Sequence, residues 1–196
     1  MSHRISIWFS MVLTLLLAYP AHAGRDNEDD GKRRGGHGKH MVLNLVGTAT
    51  AYDQTVPDID GDGKDEPAKC FDVNLVDADT TKVIGVSTDC FAQVTPKDLG
   101  LAMVTTTFFN FPSGTFIVRL NTSGQLLLHP TMTPSGVTMT HMSGAASKQN
   151  TIIGGTGRFA RETGTARLSG LLNMEKFSMD KGGSVTFDCL FVIDLD

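Results

Sequence analysis

Beyond residue 41 the apolar positions alternate with polar ones and show no helical period, which predicts β-strands. The last segment alternates most clearly and has two distinct faces. Its apolar face comprises Val185, Phe187, Cys189, Phe191, Ile193 and Leu195, and its polar face includes Thr186, Asp188 and Asp194. Turn-forming Gly, Pro, Asn and Asp residues separate the segments. Eight strands are predicted, over residues 42–52, 68–76, 82–94, 101–111, 115–121, 136–142, 163–179 and 185–195.

Eight short strands joined by tight turns predict an all-β, antiparallel fold, either a closed barrel or a sandwich. No segment supports a long amphipathic helix, and a single helical turn fits around residues 157–162. Threonine and small residues within the strands favour a barrel with a partly polar interior. An eight-stranded barrel has room for about one small ligand, so this interior is the expected place for function.

The N-terminus has the pattern of a secretory signal peptide. Arg4 precedes an apolar run over residues 5–19, and Ala21-His22-Ala23 follows as a cleavage motif. The alternative is a membrane anchor, but the run is shorter than the roughly 20 residues that a spanning helix needs. We therefore expect residues 1–23 to be removed and the mature protein to be secreted or periplasmic. No later stretch is apolar enough to span a bilayer.

Residues 24–40 contain opposite charge blocks and no aliphatic or aromatic side chain, which predicts a disordered tail before a single barrel domain over residues 41–196. The whole chain carries a formal net charge of −4. It lacks a basic patch with interleaved aromatic residues, so nucleic acid is not an expected partner.

Three cysteines, Cys70, Cys90 and Cys189, would enter an oxidising compartment after export. Cys70 and Cys90 lie at similar distances from the tip of a predicted hairpin, so they face each other across it and form the preferred disulfide. The alternative is three buried, reduced thiols. Cys189 lies on the apolar face of the last strand and is expected in the core.

An acidic loop precedes the first predicted hairpin. Side-chain oxygens of Asp58, Asp60, Asp62 and Glu66, with the carbonyl of Lys64, follow the spacing of a Ca²⁺-binding loop, and Gly63 stands where such a loop turns sharply. Lys69 stands where an EF-hand has its bidentate Glu, and no helices flank the loop. The sequence predicts a structural calcium site of the kind found between strands; the alternative is an acidic turn without an ion.

The stretch Gly155-Thr156-Gly157-Arg158-Phe159-Ala160 matches the G-x-G-x-x-[GA] pattern of dinucleotide-binding proteins, with Glu175 twenty residues after Gly155. That chemistry requires a helix that starts at the turn and directs its amides at pyrophosphate. Here the residues after the motif are strand-like and rich in glycine. Nicotinamide binding is therefore not expected.

The same residues, Ile152-Ile153-Gly154-Gly155-Thr156-Gly157-Arg158-Phe159-Ala160, resemble the "GGTG-[KR]-F" signature of plant dirigent proteins and of the related allene oxide cyclase barrel. The resemblance covers residues 101–170 clearly. It implies an eight-stranded, calycin-type barrel that holds a hydrophobic substrate in its mouth and directs cyclisation or radical coupling. It also implies a homo-oligomer, since many members are dimers or trimers. The chain departs from dirigent proteins at Asn44-Leu45-Val46-Gly47, in the first-strand region where they carry a His-Asp pair.

Two functional hypotheses follow. The first is an exported barrel that binds a hydrophobic small molecule and isomerises or cyclises it. Asp72, Arg119 and Asp188 are its candidate catalytic charges, because each interrupts a predicted strand and would have acid, base or anion-stabilising chemistry inside a dry lumen. The second hypothesis is a non-catalytic carrier or interaction module that calcium and the disulfide stabilise.

Overall fold

The computed structural model describes residues 39–97, 100–122, 127–132, 138–144 and 151–196. The predicted signal peptide and all but two residues of the predicted tail lie outside them. The described residues contain eleven β-strands, one 3-10 turn at Gly157–Phe159 and no α-helix. The strands are β1 Lys39–Thr50, β2 Tyr52–Val56, β3 Glu66–Asp77, β4 Val83–Lys97, β5 Gly100–Phe111, β6 Gly114–Thr122, β7 Leu127–Met132, β8 Thr138–Gly144, β9 Ile152–Gly155, β10 Gly164–Ser178 and β11 Gly182–Leu195.

The eight predicted strands are confirmed as β1, β3, β4, β5, β6, β8, β10 and β11. The first strand begins at Lys39, two residues before the expected start of the domain. The 3-10 turn falls within the single predicted helical turn. The prediction missed β2, β7 and β9, which have only 5, 6 and 4 residues. Segments this short contain too few alternations to stand out from a loop.

All strand pairs are antiparallel, and the sheet runs in the order β7-β8-β10-β11-β1-β3-β4-β5-β6-β9, with β2 attached to β3. Strands β1 and β11 pair without interruption, from Lys39 opposite Leu195 to Thr50 opposite Ser184. Thr151 links β6 to the start of β10, two strands that are not neighbours in this order. Its carbonyl accepts the Arg119 N–H at 2.8 Å, and its own N–H donates to the Gly164 carbonyl at 2.9 Å. These bonds help to curl the antiparallel sheet towards the predicted barrel.

Phenylalanine side chains form two groups on the apolar inner face of the barrel. One aromatic group joins Phe71, Phe91, Phe177 and Phe187, and a second joins Phe109, Phe111, Phe116, Phe159 and Phe191. Their ring centroids lie between 4.7 and 6.2 Å apart, mostly tilted or edge to face. Such contacts add about 0.5–1.5 kcal/mol per pair to the burial of apolar area. The predicted apolar face of β11 is confirmed, since all six of its residues are buried.

A second, smaller apolar cluster lies on the outer face of the barrel. It comprises Val56, Ala68, Cys70, Cys90 and Ala92, with Ile59 and Phe108 packed against it. Cys70 and Cys90 are opposite each other in the β3–β4 pair and form a disulfide, which confirms the predicted bridge. Strand β2 and the acidic loop that follows it belong to this outer layer.

In the glycine-rich motif, backbone atoms lie directly against backbone atoms of the adjacent turns. A Cβ on Gly155 would lie 2.3 Å from the Phe159 carbonyl oxygen, and one on Gly114 would lie 2.3 Å from the Thr156 carbonyl oxygen. Only residues without a Cβ allow this approach. It lets the turn at Gly157–Phe159 lie against the β5–β6 turn, where the Arg158 N–H donates to the Ser113 carbonyl at 3.1 Å. Phe159 is thereby inserted into the second aromatic group.

Candidate functional site

Four polar side chains interrupt the apolar inner wall on two neighbouring strands. Ser87 and Asp89 on β4 alternate with outward-facing residues and share the inner face with Phe91, while Thr105 and Thr107 on β5 share it with Phe109. We call Ser87, Asp89, Thr105 and Thr107 the polar ledge. All four are buried, so the predicted partly polar interior is confirmed. The polar ledge places hydrogen-bonding groups within an otherwise apolar wall, where the Ser87 hydroxyl donates to the Phe108 carbonyl at 3.3 Å.

Asp89 is the ionisable group of the ledge. Its carboxylate accepts a hydrogen bond of 2.6 Å from the Thr107 hydroxyl, and only 5% of the residue is exposed. Burial raises the pKa of Asp89 to about 6, and the bond from Thr107 lowers it again only in part. A carboxyl group with this pKa exchanges a proton close to neutral pH, which is what a general acid or base needs.

The sequence did contain a signal for Asp89. Cys70 and Cys90 must lie on one face of the hairpin in order to form a disulfide, so their neighbours Phe71 and Asp89 lie on the other. Phe71 begins the apolar series Phe71, Val73 and Leu75, which identifies that other face as the interior. The predicted disulfide therefore directs Asp89 inward and Asp72 outward.

The structure corrects the predicted position of all three candidate catalytic charges, because none of them faces the interior. Asp72 is exposed on the outer face and accepts hydrogen bonds from the Tyr52 and Thr88 hydroxyls, at 3.0 and 2.7 Å. Asp188 is exposed and accepts a bond of 3.0 Å from the Asn44 amide. The apolar neighbours of each charge fill the barrel, so alternation turns the charge outward.

Arg119 lies between buried Val118 and Leu120 and also points outward, where it holds the acidic loop. Its guanidinium donates to the backbone carbonyls of Pro57 and Asp58. Burial lowers the pKa of Arg119, and the nearby carboxylates of Glu66 and Asp58 oppose that change. Arg119 is therefore positioned as an anchor for the loop, outside the barrel interior.

The acidic loop is organised largely by its own backbone. The Asp58 carboxylate accepts the Gly61 and Gly63 N–H groups at 2.7 and 2.8 Å, and these bonds lower the pKa of Asp58. The Glu66 carboxylate accepts the Ile59 N–H at 2.7 and 2.8 Å. Carboxylate oxygens of Asp58, Asp60 and Glu66 lie within 4.8 Å of one another.

The remaining predicted ligands differ in their environment. One Asp62 oxygen accepts the Lys64 N–H at 2.8 Å, and the other pairs with the Lys64 ammonium at 3.1 Å. The structure thus brings three of the predicted carboxylates together, while the Asp62 carboxylate is engaged by Lys64. Oxygen ligands from Asp58, Asp60 and Glu66 are of the type that Ca²⁺ prefers.

A pocket of about 530 Å³ lies at the barrel end that carries the β3–β4 and β5–β6 turns. Met41, Leu43, Ile84 and Phe111 give it apolar walls that continue into the core. Its charged lining residues are Lys39, His40, Asp77, Asp79 and Arg158. Several of these groups already have contacts: His40 pairs with Asp194 at 2.6 Å, and the Arg158 guanidinium lies 4.5 Å from the Phe159 ring centroid. Apolar walls with a polar rim suit an amphipathic or apolar small molecule.

The glycine motif lacks the geometry of a dinucleotide site. The turn at Gly157–Phe159 is three residues long, and the chain enters β10 at Gly164 instead of starting a helix. No array of helix N-terminal amides is therefore available there for a pyrophosphate.

No family model matches the sequence, and no curated protein matches it. Among solved structures, the pterocarpan synthase dirigent protein GePTS1 is similar to this chain. The two share 15% sequence identity with a TM-score of 0.36, over 89% of this chain and 99% of that protein. The fold assignment rests on the strand pairing described above. Among the described residues, no helix has the length and apolar character needed to cross a membrane.

Proposed function

We propose that this protein is an exported barrel that binds a hydrophobic small molecule and promotes its isomerisation or cyclisation, with Asp89 as the acid or base. The observation that carries the proposal is the burial of Asp89 on the polar ledge, among Phe71, Phe91 and Phe109. The pocket at the barrel end supplies apolar walls for such a molecule, although Asp89 is not among the residues that line it. The signal-peptide pattern and the Cys70–Cys90 disulfide support export.

The chemical role of Asp89 follows from its surroundings. Near neutral pH the group exists in both forms: the ionised form accepts a proton from an apolar substrate, and the neutral form donates one. Thr107 holds one carboxyl oxygen, so the side chain has a fixed orientation. Among the described residues no Lys, Arg or His pairs with Asp89, so its ionised carboxylate is more basic than an ordinary one and lies in apolar surroundings.

Binding is tested with the neutral fluorescent probe N-phenyl-1-naphthylamine. Ile84 lines the pocket, whereas its neighbour Val83 is 60% exposed and does not, so the two form a matched pair. We expect saturable binding to the wild type, a Kd about tenfold higher for Ile84→Gln, and no change for Val83→Gln. Absence of binding to the wild type would reject the proposed function.

The acid–base role is tested with 5-nitrobenzisoxazole, a neutral compound whose ring N–O bond breaks when a base removes its carbon-bound proton. We expect the wild type to accelerate this reaction with a midpoint near pH 6, and Asp89→Asn to abolish the acceleration. Asp72→Asn, on the outer face, is the control and should retain it. Equal rates for the wild type and Asp89→Asn would contradict the role of Asp89.

A second candidate function is a non-catalytic carrier or interaction module. The filling of the described interior by two phenylalanine groups favours it, because a packed core needs no chemistry. The two assays separate the candidates. Probe binding without proton abstraction would identify a carrier, and neither activity would identify a structural module.

In either case the acidic loop is proposed to bind a structural Ca²⁺ through Asp58, Asp60, Asp62, the Lys64 carbonyl and Glu66. The proposal rests on the spacing of these residues in the sequence, and oxygens of the Asp58, Asp60 and Glu66 carboxylates lie within 4.8 Å of one another. Calcium should raise the melting temperature relative to chelator, because an ion that binds only the native state stabilises it. Asp60→Asn should remove this shift, and Asp65→Asn, an exposed neighbour outside the ligand set, should keep it. Identical wild-type midpoints with calcium and with chelator would reject the site.

A further inference from the structure

The sheet is split between β1 and β3, whose pairing ends at Val46 opposite Asn74. Pairing with β3 resumes only in β2, where Tyr52 lies opposite Cys70. Between these points β1 continues along β11, and β3 continues along β4. Gly47, at the start of the split, has a φ of 134°, which residues with a Cβ rarely adopt. In the described strand pairing, the backbone edges that face the split are not joined to each other, so they can bond to another partner.

A groove of about 310 Å³ lies over this split on the outer face of the barrel. Val46 and Val86 form its apolar walls and flank Asn74 on the two neighbouring strands. Thr48, Asp72 and Asn74 supply its polar side chains. This volume lies at the lower end of the range for ligand pockets, so the groove suits a single small ring.

Asp72 is the charged group of the groove, and two hydroxyl groups orient it. Its Oδ1 atom accepts hydrogen bonds from the Tyr52 hydroxyl at 3.0 Å and from the Thr88 hydroxyl at 2.7 Å. In the described part of the chain, Oδ2 has no hydrogen-bond donor, and no Lys, Arg or His forms an ion pair with Asp72. Oδ2 can therefore accept a bond from a ligand while Oδ1 keeps its protein partners.

The polar groups of the groove match a neutral ring that carries several hydroxyl groups. The Asp72 carboxylate only accepts hydrogen bonds, whereas the Asn74 amide donates and accepts. Sugar hydroxyls also donate and accept, while an ammonium group only donates and would leave the Asn74 N–H groups without an acceptor. The C–H face of a sugar ring fits the walls of Val46 and Val86. Tyr52, which is 38% exposed, adds an aromatic surface beside Asp72.

We propose that this groove is a carbohydrate-binding site, in which one sugar ring lies over Val46 and Val86 and directs hydroxyl groups to Asp72 and Asn74. The site is separate from the pocket at the barrel end, because the two have no lining residue in common. The inference therefore goes beyond the proposed small-molecule chemistry and does not depend on it.

Saturation-transfer NMR tests binding with the methyl glycosides of glucose, galactose, mannose and xylose. We expect at least one of them to bind with a Kd of about 1 mM, because a shallow polar groove makes few contacts with a single ring. Titration of the isotope-labelled wild type with that glycoside locates the site and requires no variant. The shifted amide signals should belong to residues 46–48 and 72–74, which line the groove.

Asp72→Asn removes the charge from the groove and keeps the size of the side chain. The Kd of the bound glycoside should rise about tenfold or more, because hydrogen bonds to a charged group are the stronger ones. Asp194→Asn removes an exposed carboxylate of β11 outside the groove and is the matched control, which should bind like the wild type. Circular dichroism spectra like that of the wild type verify that both variants fold.

Failure of all four glycosides to bind would overturn the proposal, and so would shifted signals outside the groove. Unchanged affinity of Asp72→Asn would overturn the role of Asp72. Binding of methylammonium in place of the glycosides would show that the groove selects a cation and would overturn the assignment to sugars. Binding of N-phenyl-1-naphthylamine at the barrel end is measured separately, so failure of this proposal and failure of the proposed function are distinguishable.

Discussion

Arg119 and Asp89, two charged side chains of the barrel, have opposite surroundings. Arg119, on the outer face, donates to two backbone carbonyls and lies near the carboxylates of Asp58 and Glu66. Asp89, on the inner face, has one hydroxyl partner and apolar neighbours. A charge with that many partners ties chain segments together, whereas a charge with so few remains available to exchange a proton. The outer face thus uses its charge as an anchor, whereas the inner face holds the carboxyl group for which we propose an acid–base role.

The largest expected effect on stability comes from the disulfide that cross-links the outer layer. Replacing both Cys70 and Cys90 with Ala should lower the free energy of unfolding by about 3 kcal/mol, because the disulfide restricts the unfolded chain. Urea unfolding of the variant and of the wild type measures this. The wild type treated with reductant serves as the control and should show the same loss. An unchanged free energy would show that the outer layer does not depend on its bridge.

Asp89 should make the stability of the barrel depend on pH. Folding raises its pKa from the ordinary value of 3.8 to about 6, so the folded state holds the proton more tightly than the unfolded chain does. The resulting stabilisation is complete below pH 4, is lost as the pH rises to about 6, and amounts to about 3 kcal/mol. Unfolding from pH 3.5 to pH 8 measures it, with the Asp89→Asn curve expected to lack this component. A wild-type curve that does not fall between pH 4 and pH 6 would show that Asp89 is better solvated than its burial indicates.

Arg119 should contribute less, because it is partly exposed. Arg119→Met removes the bonds to the Pro57 and Asp58 carbonyls and should lower the free energy of unfolding by about 1–2 kcal/mol. Arg167→Met is the matched control: that side chain is 63% exposed and lies 3.9 Å from Asp194, so its loss should change little. Similar effects at both positions would argue against a specific anchoring role for Arg119.

Thr106 and Thr107, neighbours on β5, allow the outer and inner faces of the barrel to be compared directly, and the expected change in stability is the smallest. The Thr107 hydroxyl donates to Asp89 on the inner face, whereas the buried Thr106 hydroxyl on the outer face has no hydrogen-bond partner among the described residues. Thr107→Val should destabilise the protein by about 1 kcal/mol, and Thr106→Val should leave its stability unchanged or slightly higher. Thermal unfolding of the two variants measures both effects. Equal losses would indicate that Thr106 acquires a partner, such as a buried water, in solution.

The sequence alone was sufficient to predict the features that depend only on residues close together along the chain. Strand positions, the single helical turn and the inner face of β11 follow from alternation and turn residues, which act over a few positions. The Cys70–Cys90 disulfide followed from counting within one hairpin.

Alternation alone did not decide which face of β4 or β6 is inside: the predicted disulfide supplies that signal for β3 and β4, and only the tertiary structure supplies it for β6. In β4, buried residues occur on both faces, because the outer cluster covers Cys90 and Ala92 while Asp89 and Phe91 face the interior. A polar residue such as Arg119, which has no disulfide nearby, therefore gives no indication of its direction until the partner strands are known. The barrel interior collects side chains from strands far apart in sequence, so the position of Asp89 near Cys189 is a property of the curled sheet.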